Sequence, residues 1–97
     1  MNISKIISII SSLKLNDYQL VRTKNNSLVI FKSKYKYTDC IYIDIRNKEA
    51  QIRYERVFDN KYVNYSIERL LIFNKTVNSI DEVVSLIKLI CNKKKAI

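Results

Sequence analysis

Apolar and polar residues alternate most regularly between positions 40 and 58. The odd-numbered isoleucines before Asn47 alternate with polar residues, and Ile52 and Tyr54 continue the alternation after it. A period of two is typical of a strand with one buried side, so this stretch predicts a β-hairpin. It is the part of the chain around which the predicted fold is built.

Two registers of this hairpin satisfy the pattern. A turn at Asn47-Lys48 sets Ile43 opposite Ile52, whereas a turn at Lys48-Glu49 sets Ile45 there. A slip of one residue would bury charge, so the pattern excludes it. Asparagine tolerates positive φ, which favours the Asn47-Lys48 turn.

An amphipathic helix is predicted at each end of the chain. Isoleucines at helical spacing predict the first over residues 3–15, with Asn16-Asp17 ending it. Ser79 and Glu82 form an S-x-x-E capping box that opens the second helix. Lys93–Lys95 follow it, either as a solubilising end whose charge also suits the helix dipole or as part of a binding surface.

A second hairpin is predicted between the first helix and the central hairpin. Residues 18–24 and 28–34 fit two strands across Asn25-Asn26, a candidate type I′ turn. Residues 28–31 are apolar on both faces. This indicates either a strand covered on both sides or one that meets a second subunit.

The sheet is expected to continue after the central hairpin. A turn at Asp59-Asn60 would bring residues 62–67 beside the hairpin, with Tyr54 opposite Tyr65. Residues 67–73 fit either a helical turn or a strand, and we favour the strand.

The predicted fold class is α+β in a single domain, residues 1–97. It is a four- or five-stranded antiparallel β-meander with an N-terminal and a C-terminal helix packed on one face. The predicted core face carries Ile41, Ile43, Ile45, Ile52, Tyr54, Val63, Tyr65 and Ile67.

The chain is strongly basic. Its 97 residues include 18 Lys and Arg against 9 Asp and Glu, a formal charge of +9. Such an excess favours polyanions, acidic proteins or anionic membranes as partners. Enrichment in Ile, Lys, Asn and Tyr without Gly or Pro also indicates an AT-rich genome, such as that of a virus or plasmid. Part of the charge then reflects codon usage.

The segment KSKYKY, residues 32–37, is the best candidate for binding a polyanion. In an extended chain its alternate lysines line one side about 6.5–7 Å apart, close to the phosphate spacing of a strand. Its tyrosines could stack on bases. The alternative is an edge strand whose lysines prevent aggregation. Candidate nucleic-acid-binding residues are Lys32, Lys34, Tyr35, Lys36, Tyr37, Arg46, Arg53, Lys93, Lys94 and Lys95.

The two cysteines form no metal or redox motif. Cys40 and Cys91 lie far apart and no histidine is present. We expect reduced thiols in a cytoplasmic protein, although a single disulfide between them is the alternative. The apolar run over residues 6–10 is too short and too polar for a signal peptide or membrane span, so no membrane partner is expected.

Catalysis is not expected. The chain has no histidine for a base and no glycine for a phosphate loop or nucleophile elbow. Asp44 and Glu55 share one side of the hairpin, but an ion pair of Asp44 with Arg53 is favoured over a metal site. We predict no cofactor and no metal.

Two hypotheses about function follow. The first is a non-enzymatic protein that binds the phosphate backbone of DNA or RNA. The second is a protein-binding module, such as a virus- or plasmid-encoded inhibitor of a host complex that recognises an acidic host protein and could act as a homodimer.

Overall fold

The chain folds into one open antiparallel sheet with a helix at each end of the sequence. The computed structural model describes residues 1–15, 17–58 and 69–92. The elements are α1 (Ile3–Ser12), β1 (Gln19–Lys24), β2 (Ser27–Ser33), β3 (Tyr37–Arg46), β4 (Glu49–Phe58), β5 (Arg69–Val77) and α2 (Ile80–Cys91). The five strands lie in chain order, each antiparallel to the next. The predicted α+β meander is confirmed.

The central hairpin has the first of the two predicted registers. Ile43 lies opposite Ile52 and Ile41 opposite Tyr54. Asn47 opens the turn with a φ of 56°. Asparagine reaches this left-handed region at lower cost than most residues, which is why the turn forms at Asn47-Lys48 without a glycine.

The core lies between the helices and one face of the sheet. Ile41, Ile43 and Ile52 are fully buried, while Tyr54 is half-buried at the margin. The core continues across β2 to β5 and onto both helices, through Leu28, Ile30, Ile45, Ala50, Val77, Ile3, Ile6, Ile10, Val83 and Ile87. Both helices therefore cover the same face, as the apolar stripes predict.

The helix boundaries follow from local chemistry. Asn2 caps α1 by accepting a hydrogen bond from the Lys5 amide at 3.2 Å. The helix ends at Ser12, earlier than predicted, and Lys14 turns the chain with a φ of 50°. Ser79 caps α2 as predicted, accepting from the Glu82 amide at 3.1 Å.

The first hairpin forms where the pattern places it, but its turn differs. Strands β1 and β2 pair across Asn25-Asn26. Positive φ occurs among the described non-glycine residues only at Lys14, Asp17 and Asn47, so the type I′ prediction is wrong. An irregularity between Arg22 and Lys24 relaxes the register at this turn.

Strand β2 lies inside the sheet, between β1 and β3. Its Leu28 and Ile30 are buried under the helices, whereas Val29 and Phe31 are half-buried on the other side. No described helix or strand covers that other side, so the two apolar faces do not reflect full burial. We call the sheet face away from the helices the open face.

The strand beside β4 differs from the one predicted. Tyr54 lies opposite Phe73, so the predicted Tyr54–Tyr65 pairing is wrong. The two rings meet edge-on at 6.2 Å, and Val77 is buried opposite Ala50. Burial of these two side chains favours β5 as the partner, and it confirms the strand over residues 69–73. Asp59-Asn60, Val63, Tyr65 and Ile67 lie outside the described residues.

Candidate nucleic-acid interface

The two ends of the sheet differ in chemistry. One end carries the turns at residues 25–26 and 47–48, and the Met1 ammonium donates to the Asn47 carbonyl there at 2.7 Å. The other end carries the connection between β2 and β3 at residues 34–36. Leu89 and Ile90 of α2 line one cavity with Tyr54 and Arg56, so the last turns of α2 also lie toward this end.

The KSKYKY segment forms a turn at this end. β2 ends at Ser33, and the Lys34 amide donates to the Tyr37 carbonyl at 2.7 Å. The predicted extended row of three lysines is therefore wrong, because the chain reverses between Lys34 and Tyr37. We call the residues of this surface the basic turn: Lys32, Lys34, Tyr35, Lys36 and Tyr37.

The lysines of the basic turn lie close to aromatic rings. The Lys32 ammonium is 5.5 Å from the centre of the Tyr18 ring, and the Lys34 ammonium is 5.5 Å from that of Tyr37. A ring face attracts a cation within about 6 Å, which holds the ammonium groups near the protein surface. The positive charge is thereby concentrated at the end of the sheet.

The two tyrosines of the turn have different roles. The Arg56 guanidinium lies 4.0 Å from the centre of the Tyr37 ring, and Phe58 packs beside that ring at 6.0 Å. Tyr37 is therefore part of the support of the turn. Tyr35 is 79% exposed, with the Lys36 ammonium 6.0 Å from its ring centre. Tyr35 is therefore the more exposed of the two tyrosines of this turn.

A buried ion pair fixes the support. Arg56 donates two hydrogen bonds to Asp39, at 2.9 and 3.3 Å, and Asp39 is 3% exposed. The bonds to Asp39 raise the pKa of Arg56. A fork of this kind holds both side chains in one geometry. The Asp39 charge is thus compensated internally, so it does not offset the lysines outside.

Among the residues that the structure describes, the charges at this end add up to a positive excess. Lys32 lies 3.8 Å from Asp17, whose side chain is 78% exposed, and such exposed pairs are weak. The described cations at this end, Lys14, Lys32, Lys34, Lys36 and Arg56, outnumber the carboxylates of Asp17 and Asp39.

Sequence reasoning missed three contributors to this end. The path of the chain before β1 brings Tyr18 against Lys32, and the pairing of β3 with β4 brings Arg56 against Tyr37. Lys14 lines a cavity together with Tyr18 at this end. Burial raises the pKa of Tyr18 to about 12, so its phenol stays neutral at physiological pH. Of these three residues, only Lys14 could have been suspected from the sequence, because an exposed lysine adds to the positive charge.

The other predicted binding residues lie elsewhere. Arg46 is exposed at the opposite end of β3, and Arg53 lies on the open face. Lys93–Lys95 lie outside the described residues. The seven predicted residues that the structure describes therefore do not form one continuous stripe.

Arg53 belongs to a cluster on the open face. Its guanidinium carbon is 4.6 Å from the centre of the Tyr42 ring, and its Nε is 3.3 Å from Glu55. Arg69 donates to Glu55 at 3.2 Å and to the Tyr42 hydroxyl at 3.4 Å. Bonding to Tyr42 raises the pKa of Arg69, and burial raises the pKa of Tyr42. We call these four residues the arginine cluster.

Asp44 and Glu55, the acidic pair considered for metal binding, each bond to different side chains. Asp44 accepts from the Ser27 hydroxyl at 2.6 Å, and Glu55 is engaged by both arginines. Asp44 lies opposite Gln51, so the predicted pairing of Asp44 with Arg53 is wrong. Among residues 1–15, 17–58 and 69–92 no group of three acidic, cysteine or histidine side chains could hold a metal ion.

The cysteines are free thiols. Cys40 lies on the open face and Cys91 packs against the core on the helix side. The sheet separates them, so the disulfide alternative is wrong. Burial raises the pKa of both thiols.

Comparison with known proteins does not assign the chain to a family. No protein-family model matches the chain, and neither the curated proteins nor the solved structures searched gave a significant match. In the described part of the chain, neither helix has the length and apolar character needed to cross a bilayer.

Proposed function

We propose that this protein binds nucleic acid through the basic turn, contacting phosphates without strong sequence preference and without catalysis. The observation that carries the proposal is the gathering of Lys32, Lys34 and Lys36 at one end of the sheet beside the exposed ring of Tyr35. Ammonium groups on a short turn can reach successive phosphates, and an exposed ring can stack on a base.

The residues beneath the basic turn support this function because the acidic residue among them, Asp39, is paired with Arg56. Arg56 neutralises Asp39 beneath the turn, whereas Lys34 and Lys36 are exposed to solvent. A polyanion approaching this end is also attracted by the overall formal charge of +9.

A paired-variant experiment tests the proposal. Lys34→Gln/Lys36→Gln removes two charges from the basic turn, and Lys5→Gln/Lys48→Gln removes two exposed charges from α1 and the opposite end of the sheet. Fluorescence anisotropy with a labelled oligonucleotide at low salt should show at least a tenfold loss for the first variant and a much smaller loss for the second. Failure of the unmodified protein to bind any single strand or duplex at low salt would overturn the proposal.

A second candidate function, a protein-binding module, is favoured by strand β5. Leu70 and Leu71 are each 53% exposed and Ile72 is 42% exposed, on the strand that ends the sheet among the described residues. Exposed apolar residues on such an edge are typical of a strand that pairs with a partner, here an acidic host protein or a second copy. Light scattering that finds only monomer would count against the homodimer.

We also propose a reducing, cytoplasmic setting and an origin in an AT-rich genome. The free thiols on opposite sides of the sheet support the first, and the composition supports the second.

A further inference from the structure

The open face is divided into an apolar and a cationic part. Val21, Val29 and Phe31 lie on β1 and β2, with Val21 46% exposed. The arginine cluster lies on β3 to β5. Neighbouring strands are about 4.8 Å apart, so the two parts adjoin within roughly 10 Å.

The arginine cluster has more donors than acceptors. Each guanidinium carries five N–H donors, yet within the cluster Arg53 and Arg69 share one carboxylate and one phenol. The buried Nε of Arg53 has no hydrogen-bond partner, since its 3.3 Å separation from Glu55 is an ion pair without hydrogen-bond alignment. A ligand that brings acceptor oxygens and negative charge could bond to the donors that the cluster leaves over.

The carboxylates of this face lie among its arginines. Glu55 is 13% exposed in its side chain and lies between Arg53 and Arg69, so one net positive charge remains in the arginine cluster. At the far end of the face Arg46 lies opposite Glu49, and Asp44 keeps its charge while it accepts from the Ser27 hydroxyl. The local positive excess is therefore that of the arginine cluster.

We infer that the open face binds single-stranded nucleic acid, with phosphates on the arginine cluster and unpaired bases against the apolar part around Phe31. A single strand offers phosphates along one side and base faces along the other, which complements the division of this face. A duplex keeps its base faces stacked internally, so only its phosphates could be used here. This inference rests on the proposed function and names its substrate class.

Two neighbouring leucines provide the matched variants. Leu71 lies opposite Glu55 and so belongs to the open face, whereas Leu70 lies opposite Arg56 and belongs to the helix side. Both are 53% exposed. Leu71→Glu and Leu70→Glu therefore make the same change in net charge at adjacent, tolerant positions, one on the proposed binding face and one off it.

The experiment measures anisotropy of labelled oligothymidylate and of a labelled duplex. Leu71→Glu should weaken single-strand binding by about tenfold relative to Leu70→Glu, the equivalent of one charge-assisted hydrogen bond. Arg53→Gln should weaken it to a similar extent, while the two glutamate variants should bind the duplex alike. Thermal melts confirm that the variants are folded.

Equal single-strand affinities for Leu71→Glu and Leu70→Glu would overturn the inference, and the proposed function would stand as long as the unmodified protein binds. A Leu71→Glu variant that turns a dimer into a monomer with unchanged oligothymidylate affinity would also overturn it, since the face would then be an interface between copies. Lack of any binding by the unmodified protein would remove the proposed function itself.

Discussion

The buried pair of Asp39 and Arg56 should control the stability of the basic end. Arg56→Met removes both hydrogen bonds from a carboxylate whose side chain is 4% exposed. Removing one partner of a buried pair typically costs about 3–5 kcal/mol, because the remaining charge is left without compensation. The Arg56 side chain is 31% exposed, so water can reach part of the site and we expect about 3 kcal/mol, the lower end of that range.

Urea denaturation followed by circular dichroism measures this cost. With a slope of about 1.5 kcal/mol per molar urea, the midpoint should fall by about 2 M. Arg53→Met is the control, since Arg53 has a similar exposure of 38% but its partner Glu55 keeps Arg69, and it should cost less than about 1 kcal/mol.

A double-mutant cycle isolates the pair. Adding Asp39→Asn to Arg56→Met removes the uncompensated charge, so part of the original stability should return. If Arg56→Met costs no more than Arg53→Met, or if the added Asp39→Asn only destabilises further, then the pair does not anchor the turn as described.

Three further outcomes are expected. Ile52→Ala should destabilise the protein by about 2–5 kcal/mol in urea, since Ile52 is fully buried, and a cost below about 1 kcal/mol would argue against the core. The thiol of Cys91 has a pKa of about 11, so little thiolate is present at pH 8 and its reaction with iodoacetamide should be about 100-fold slower than that of an ordinary thiol. The rate is measured in a Cys40→Ala background, and fast alkylation would contradict the burial that raises the pKa. Stability should fall as pH rises from 10 to 12, because the pKa of Tyr18 is about 12 when folded and 10.0 otherwise; Tyr18→Phe should lose less over that range, and identical pH profiles would refute the assignment.

The pattern of isoleucines was enough to predict the central hairpin. A slip of one residue would bury charge, which leaves two registers, and the positive φ that Asn47 tolerates selects the one with Ile43 opposite Ile52. The partner of β4 was predicted wrongly because two apolar segments after Phe58 both alternate. The segment that pairs with β4 places Phe73 edge-on against Tyr54 and buries Val77 opposite Ala50, and these contacts depend on tertiary packing.

The sequence was enough to predict which residues form part of the candidate site, but not how the chain arranges them. The lysines and tyrosines of KSKYKY were identified from the sequence, but a turn without Gly, Pro or Asn has no recognisable signal there. Arg56 and Tyr18 reach the turn only through strand register and the path of the chain. The arginine cluster likewise spans residues 42 to 69, a proximity that the sequence does not reveal.

The salt dependence of binding tests the central claim most directly. Affinity for a labelled single strand should fall linearly with log salt, and Lys34→Gln/Lys36→Gln should make the slope shallower by about 0.7 for each phosphate that the variant no longer neutralises. An affinity that does not change with salt, or a slope that this variant leaves unaltered, would contradict phosphate binding by the basic turn.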